Sequence, residues 1–123
     1  MKIDGYKDRE VLMVTYEFDQ ETDVEGQMSG IPRGGKIIVK VKALNDGTPD
    51  LLAWMCERNL QKNGTIEFLE TKTGKVMKEI KFTSGYCVDY EEKWEDMMGH
   101  FEVITITCKK IEFGSVVYEN DWA

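Results

Sequence analysis

The sequence predicts an all-β (mainly β) domain, a flattened β-barrel or two-sheet sandwich with one flanking α-helix. Three observations carry that expectation. Apolar and polar residues alternate with a period of two through most of the chain, as at Leu12, Val14, Tyr16 and Phe18. Turn residues interrupt the alternation at short intervals, as in Lys72-Thr73-Gly74-Lys75 and Gly114-Ser115. One stretch alone, 48–59, has helical spacing. A chain of 123 residues suits one domain with its own core, spanning 1–123.

Each element follows from its local pattern. Leu12 to Phe18 reads as a strand, and Ile37, Val39 and Val41 mark the next, with Lys40 and Lys42 facing outward. Between them, 19–35 is polar and glycine-containing, and Pro32 and Gly34-Gly35 shape a bend. In 48–59, Thr48 offers an N-cap hydroxyl, Pro49 suits the first helical position and Asp50 favours the helix dipole. Leu51, Trp54, Met55 and Arg58 share one face of a helix of about three turns, which packs on the open side of the barrel. Ile66 and Phe68 pair with Val76, Ile80 and Phe82 across a hairpin at 72–75. In the next strand Tyr86, Val88, Tyr90 and Trp94 share one face, opposite Cys87, Asp89, Glu91 and Lys93. The stretch 101–110 is apolar on both faces, so it belongs at the centre of the sheet or at an interface. Ile111 to Phe113 and Val116 to Tyr118 flank the last turn, giving roughly eight or nine short strands in all.

Several function classes are argued against. The net charge of −7 does not fit a nucleic-acid partner. Met1-Lys2-Ile3-Asp4-Gly5 lacks the apolar core of a signal peptide, and no run reaches the roughly 18 apolar residues of a membrane helix. The expectation is therefore cytoplasmic synthesis without membrane insertion, with any export by a signal-independent route. Gly30, four residues, then Gly35-Lys36 imitates a phosphate-binding loop. Ile37 stands where the magnesium-binding hydroxyl belongs, and a strand follows where a helix should face the anion. Cys56, Cys87 and Cys108 match neither a disulfide framework nor a zinc site, and are expected as buried, reduced thiols. The lone histidine, His100, is expected in a solvated turn with no nucleophile near it in sequence. Asp89, Glu91, Glu92, Glu95 and Asp96 lack calcium-loop spacing and read as a solvated strand face. No enzyme, no metal and no cofactor is expected.

With catalysis set aside, the loop blocks take on a different meaning. Phe18-Asp19-Gln20-Glu21-Thr22-Asp23, then Gly26 and Pro32-Arg33-Gly34-Gly35 before a strand, resemble the tube protein of type VI secretion systems, the hemolysin-coregulated protein (Hcp, TssD) family in its Bacteroidetes form. The likeness continues through Leu52-Ala53-Trp54-Met55, Gly64-Thr65-Ile66-Glu67-Phe68, Met77-Lys78-Glu79-Ile80, Gly85-Tyr86-Cys87-Val88 and Ile111-Glu112-Phe113-Gly114 to Trp122. It runs from about Val11 onward; the first ten residues depart from the pattern, with Lys7-Asp8-Arg9-Glu10 unusually charged. The resemblance implies a homo-hexameric ring that stacks into a hollow tube. A contracting sheath drives that tube, a spike tips it, and effectors ride in its lumen. It implies export through that apparatus. It also assigns ring-to-ring stacking to the loop after the second strand, here Gln20, Glu21, Thr22, Asp23, Pro32, Arg33, Gly34 and Gly35. A small β-barrel that binds a ligand, or an adaptor of similar shape, is the alternative that residue patterns leave open.

Overall fold

The computed structural model describes residues 1–18, 35–96 and 99–120. In chain order the elements are β1 (Lys2–Ile3), β2 (Val11–Tyr16), β3 (Lys36–Lys42), α1 (Asp50–Cys56), β4 (Lys62–Leu69), β5 (Val76–Glu95), β6 (Gly99–Phe113) and β7 (Val116–Glu119). The strands make one antiparallel sheet in the order β1-β4-β5-β6-β3-β2, with β7 beside β6. The sheet folds over on itself, so that β2, at one edge, approaches β4 without pairing with it. A groove of about 540 Å³ lies along that seam, between Val11, Leu12 and Val14 on one side and Phe68 and Leu69 on the other.

The core forms where alternating strands face one another. In β3, Ile37, Val39 and Val41 are fully buried, and they lie opposite Ile106, Ile104 and Glu102 of β6. Ile66 of β4 faces Ile80 of β5, and Phe82 and Ile111 pair across β5 and β6. Trp54 of α1 closes the layer, its ring stacked on Phe82 at 6.4 Å and its indole N–H donating to the Leu60 carbonyl at 3.0 Å. Side chains of this size each contribute about 1.5–3 kcal/mol when fully buried. Gly64 matters because β1 crosses there. A Cβ on it would lie 2.5 Å from Phe82 Cζ and 2.8 Å from the Lys2 carbonyl oxygen.

The period-two reading placed most strands correctly, and the β4–β5 and β6–β7 turns lie where expected. The short opening strand does pair, with Lys2 opposite Thr65 and Ile3 opposite Gly64. Strand continuity was misread, because the described residues hold seven strands and two of them are long. Ser84-Gly85 interrupts the alternation without ending β5: Ser84 takes φ 55°, and its N–H donates to Asn63 Oδ1 at 2.9 Å. A bulge at Val88 then shifts the phase again, so Cys87 and Tyr90 both pack on the core while Val88 and Trp94 are exposed. The expected opposition of Cys87 to Tyr90 is therefore corrected. Another bulge, between Val11 and Met13, turns Leu12 outward and brings Val11 in.

The helix is shorter than its spacing implied. Pro49 is the N-cap, the Thr48 hydroxyl bonds Asp46 instead of the helix, and Glu57 is already extended. Asn59 follows at φ 64°, leaving Arg58 outside the helix. Cys87 and Cys108 are buried, but Cys56 is exposed, which corrects the expectation for that thiol. His100 lies within β6, not in a turn.

Candidate assembly surfaces

Seven of the residues assigned to ring stacking, Gln20, Glu21, Thr22, Asp23, Pro32, Arg33 and Gly34, lie outside the described residues. Gly35 is described, immediately before β3. Its φ of 86° is a conformation that residues with a Cβ rarely adopt, and its carbonyl accepts the Cys108 N–H at 3.2 Å. Tyr16 and Ile37 form the last pair of the β2–β3 ladder, which brings Phe18 and Gly35 to its open end. There an aromatic cluster gathers. Tyr16 meets Phe113 at 4.9 Å, and Phe18 meets Phe113 at 5.8 Å and Tyr118 at 4.8 Å. Lys78 lies over the rings of Tyr16 and Phe113 and donates to the Tyr16 hydroxyl at 2.5 Å.

A second cluster has its charged groups in the interior. Arg9 is 4% exposed and its guanidinium binds carboxylates on two other elements, Asp50 of α1 and Glu102 of β6. The Glu102 bond is 2.5 Å, and the other Glu102 oxygen accepts the Tyr90 hydroxyl at 2.6 Å. Burial, with that carboxylate as neighbour, pushes the Tyr90 hydroxyl well above its ordinary range. The sequence reading took Asp50 only as a helix-dipole residue and missed the cluster. A usable signal was present: Glu102 occupies a core-phase position in Glu102-x-Ile104-x-Ile106-x-Cys108, and a carboxylate there requires a buried cation.

Outside these clusters the surface carries uncovered apolar side chains. Met77 is 72% exposed, Leu69 56% and Val76 50%, all at the β4–β5 hairpin, while Leu12 and Met13 stand exposed along β2 beside the seam. Val116 and Val117 are exposed on β7, and Trp94 near the end of β5. His100 Nε2 contacts Glu92 at 2.9 Å, and both are partly exposed. Burial raises the Cys87 thiol to about 11 and the Cys108 thiol to about 12. Among the described residues no three His, Cys, Asp or Glu side chains are grouped to hold a metal, and no helix is long and apolar enough to cross a membrane.

A filled core, strands β1, β2 and β7 with one neighbour each among the described residues, and apolar side chains left in solvent are the features of a β-sheet subunit that packs against other chains. Comparison with known proteins makes the class specific. The family described as "Hemolysin coregulated protein Hcp (TssD)" matches residues 1–123. The structure of Hcp1 from Flavobacterium johnsoniae is similar at a TM-score of 0.85 and 33% identity, over 96% of this chain and 95% of that one. Hcp1 from Escherichia coli EAEC 042 shares the fold at a TM-score of 0.71 and 14% identity, over 91% of this chain and 79% of that one. The sheath–tube complex of an extracellular contractile injection system, PVC, aligns at a TM-score of 0.50 and 14% identity, over 89% of this chain and 80% of that one. No curated protein matched the sequence. The chain belongs to the Hcp (TssD) family and is a tube subunit of a type VI secretion system.

Proposed function

We propose that six copies form a closed ring, and that rings stack into the hollow tube through Gln20, Glu21, Thr22, Asp23, Pro32, Arg33, Gly34 and Gly35. The sheath surrounds this tube, the spike caps it, and effectors occupy its lumen during export. The part is structural and requires no catalysis. The observation that carries the ring is the exposed apolar surface at Leu12 and Met13 of β2, an edge strand that among the described residues pairs only with β3, and at Leu69, Val76 and Met77 of the β4–β5 hairpin. Edge strands of this kind offer unpaired backbone groups to another strand, and apolar side chains favour its docking. The alternative of a small ligand carrier has less support, because Ile37, Val39, Val41, Ile66, Ile104 and Ile106 fill the interior that a ligand would need.

Light scattering at micromolar concentration tests the ring directly. One chain is 14.2 kDa, and a hexamer has six times that mass. A stable monomer across that range would overturn the proposal. Negative-stain microscopy of the same sample separates rings from tubes.

A further inference from the structure

We infer that Asn120 and Tyr118, at the end of β7, are positioning residues that clamp both roots of the 19–34 connection and so aim it for stacking. The inference rests on the proposed stacking role of that connection. Residues 17–35 connect β2 to β3, and Phe18 and Gly35 are the described residues that flank 19–34.

Both roots meet the same short stretch of chain. Phe18 lies beyond the end of β2 and is 37% exposed, yet its ring sits edge-on to Tyr118 at 4.8 Å. On the other root, the Asn120 side-chain amide occupies the space that a Cβ on Gly35 would need, and a Tyr118 ring carbon lies 3.2 Å from that position. The amide is itself held firmly. Asn120 Nδ2 donates to the Cys108 carbonyl at 2.7 Å, and its Oδ1 accepts the Tyr118 hydroxyl at 2.8 Å. Its backbone N–H donates to the Lys109 carbonyl at 2.7 Å. Cys108 in turn donates its backbone N–H to the Gly35 carbonyl, so Asn120, Cys108 and Gly35 form one linked unit. Each side-chain polar atom of Asn120 is thus committed to fixing this corner.

The rest of β7 has little other work within the subunit. It is four residues long, Val116 and Val117 are exposed, and Tyr118 alone packs against the core. Of its side chains, Tyr118 lies at the place where the connection leaves and returns.

Three single variants of the full chain test the clamp: Asn120→Ala, Tyr118→Phe and Gly35→Ala. Each is followed by ring mass, thermal midpoint and the number and length of tubes in negative stain. Asn120→Ala should keep the ring mass and shift the midpoint by only a few degrees, while tube yield falls at least tenfold. Tyr118→Phe removes the hydroxyl bond to Asn120 and keeps the ring, so it should shorten tubes with a midpoint within a few degrees of the parent chain; it also keeps the test decisive if Asn120→Ala fails to fold. Gly35→Ala should be worse than the Gly35→Ala/Asn120→Ala double variant, because removing the amide relieves the clash. Normal tubes from both Asn120→Ala and Tyr118→Phe would overturn the clamp, as would strictly additive effects in the double variant. Shortening 19–34 separates the two ideas. If shortening abolishes tubes and the clamp variants do not, the clamp alone fails; if shortening leaves tubes intact, the stacking reading fails.

Discussion

The first ten residues and the β4–β5 hairpin invert the usual relation between polarity and burial. Residues 1–10 include Lys2, Asp4, Lys7, Asp8, Arg9 and Glu10, yet Met1, Ile3 and Arg9 are buried. The hairpin presents Leu69, Val76 and Met77, and all three stand in solvent. Partners explain the difference. The N-terminal segment closes on itself, the Met1 ammonium donating to the Arg9 carbonyl at 2.6 Å and the Arg9 N–H to the Met1 carbonyl at 3.0 Å. Lys62 holds its middle, donating to the Asp4 carbonyl at 3.0 Å and lying over the Tyr6 ring at 4.2 Å. Arg9 then finds two carboxylates inside. Among the described residues the hairpin has no such cover. In the proposed ring, that apolar surface would be covered by a neighbouring copy.

The largest expected effect comes from removing Arg9. Arg9→Ala leaves Asp50 and Glu102 buried and uncompensated, which should cost about 3–5 kcal/mol. Urea unfolding checks this, and a loss below about 1 kcal/mol would show that the cluster is solvated in the folded state. Replacing all three together, as Arg9→Met/Asp50→Leu/Glu102→Leu, should be milder than Arg9→Ala, since no buried charge is then orphaned. Next is Gly64→Ala, which forces apart β1 and Phe82; about 1–3 kcal/mol of destabilisation by the same assay is expected. Met77→Glu, alone or with Leu69→Glu, should change subunit stability by less than about 0.5 kcal/mol while reducing ring mass in light scattering. Unaltered assembly would break the comparison at the hairpin.

Three smaller effects sharpen it. Iodoacetamide should modify the folded chain at Cys56, and reach Cys87 and Cys108 only on unfolding, as read by intact mass. The buried thiols also set a pH response. The unfolded chain releases these protons from about pH 9.0, whereas the folded chain keeps them to about 11 and about 12. Their contribution is complete below pH 9.0 and declines as pH rises from there towards the folded values. Urea midpoints across that range should fall, and should fall less in Cys108→Val. Lys7→Ala is the smallest: its pair with Asp46 is exposed, so the thermal midpoint should barely move.

The contrast also marks what the sequence made legible. Strands β2, β3 and β6 and both tight hairpins follow from local alternation and turn chemistry, which lie within a few residues of each other. The continuity of β5 did not, because Ser84-Gly85 has the composition of a turn but the hydrogen bonding of a strand irregularity. The Arg9 cluster joins positions 9, 50, 90 and 102, a distance in sequence that no periodicity spans. At the candidate stacking site, Gly35 announced a bend through its type and its neighbours. Asn120 carried no pattern at all, since one polar residue after a short strand is common; only the fold places it against Gly35.

The antiparallel ladder between β3 and β6 has a consequence for how the chain reaches this structure. It joins Lys36 to Thr107 and Lys42 to Phe101, residues roughly sixty to seventy positions apart, whereas β2–β3, β4–β5, β5–β6 and β6–β7 are neighbours in sequence. Two locally formed pieces, a β2–β3 ribbon and a β4–β7 meander, must therefore meet by diffusion before Ile37, Val39 and Val41 leave water. Until they meet, β3 and β6 each offer an open apolar edge to any strand nearby, including the same strand of another copy. For a protein that works as a crowded polymer, the hazard is greatest during synthesis, and fast docking of these two strands protects the subunit from pairing too early.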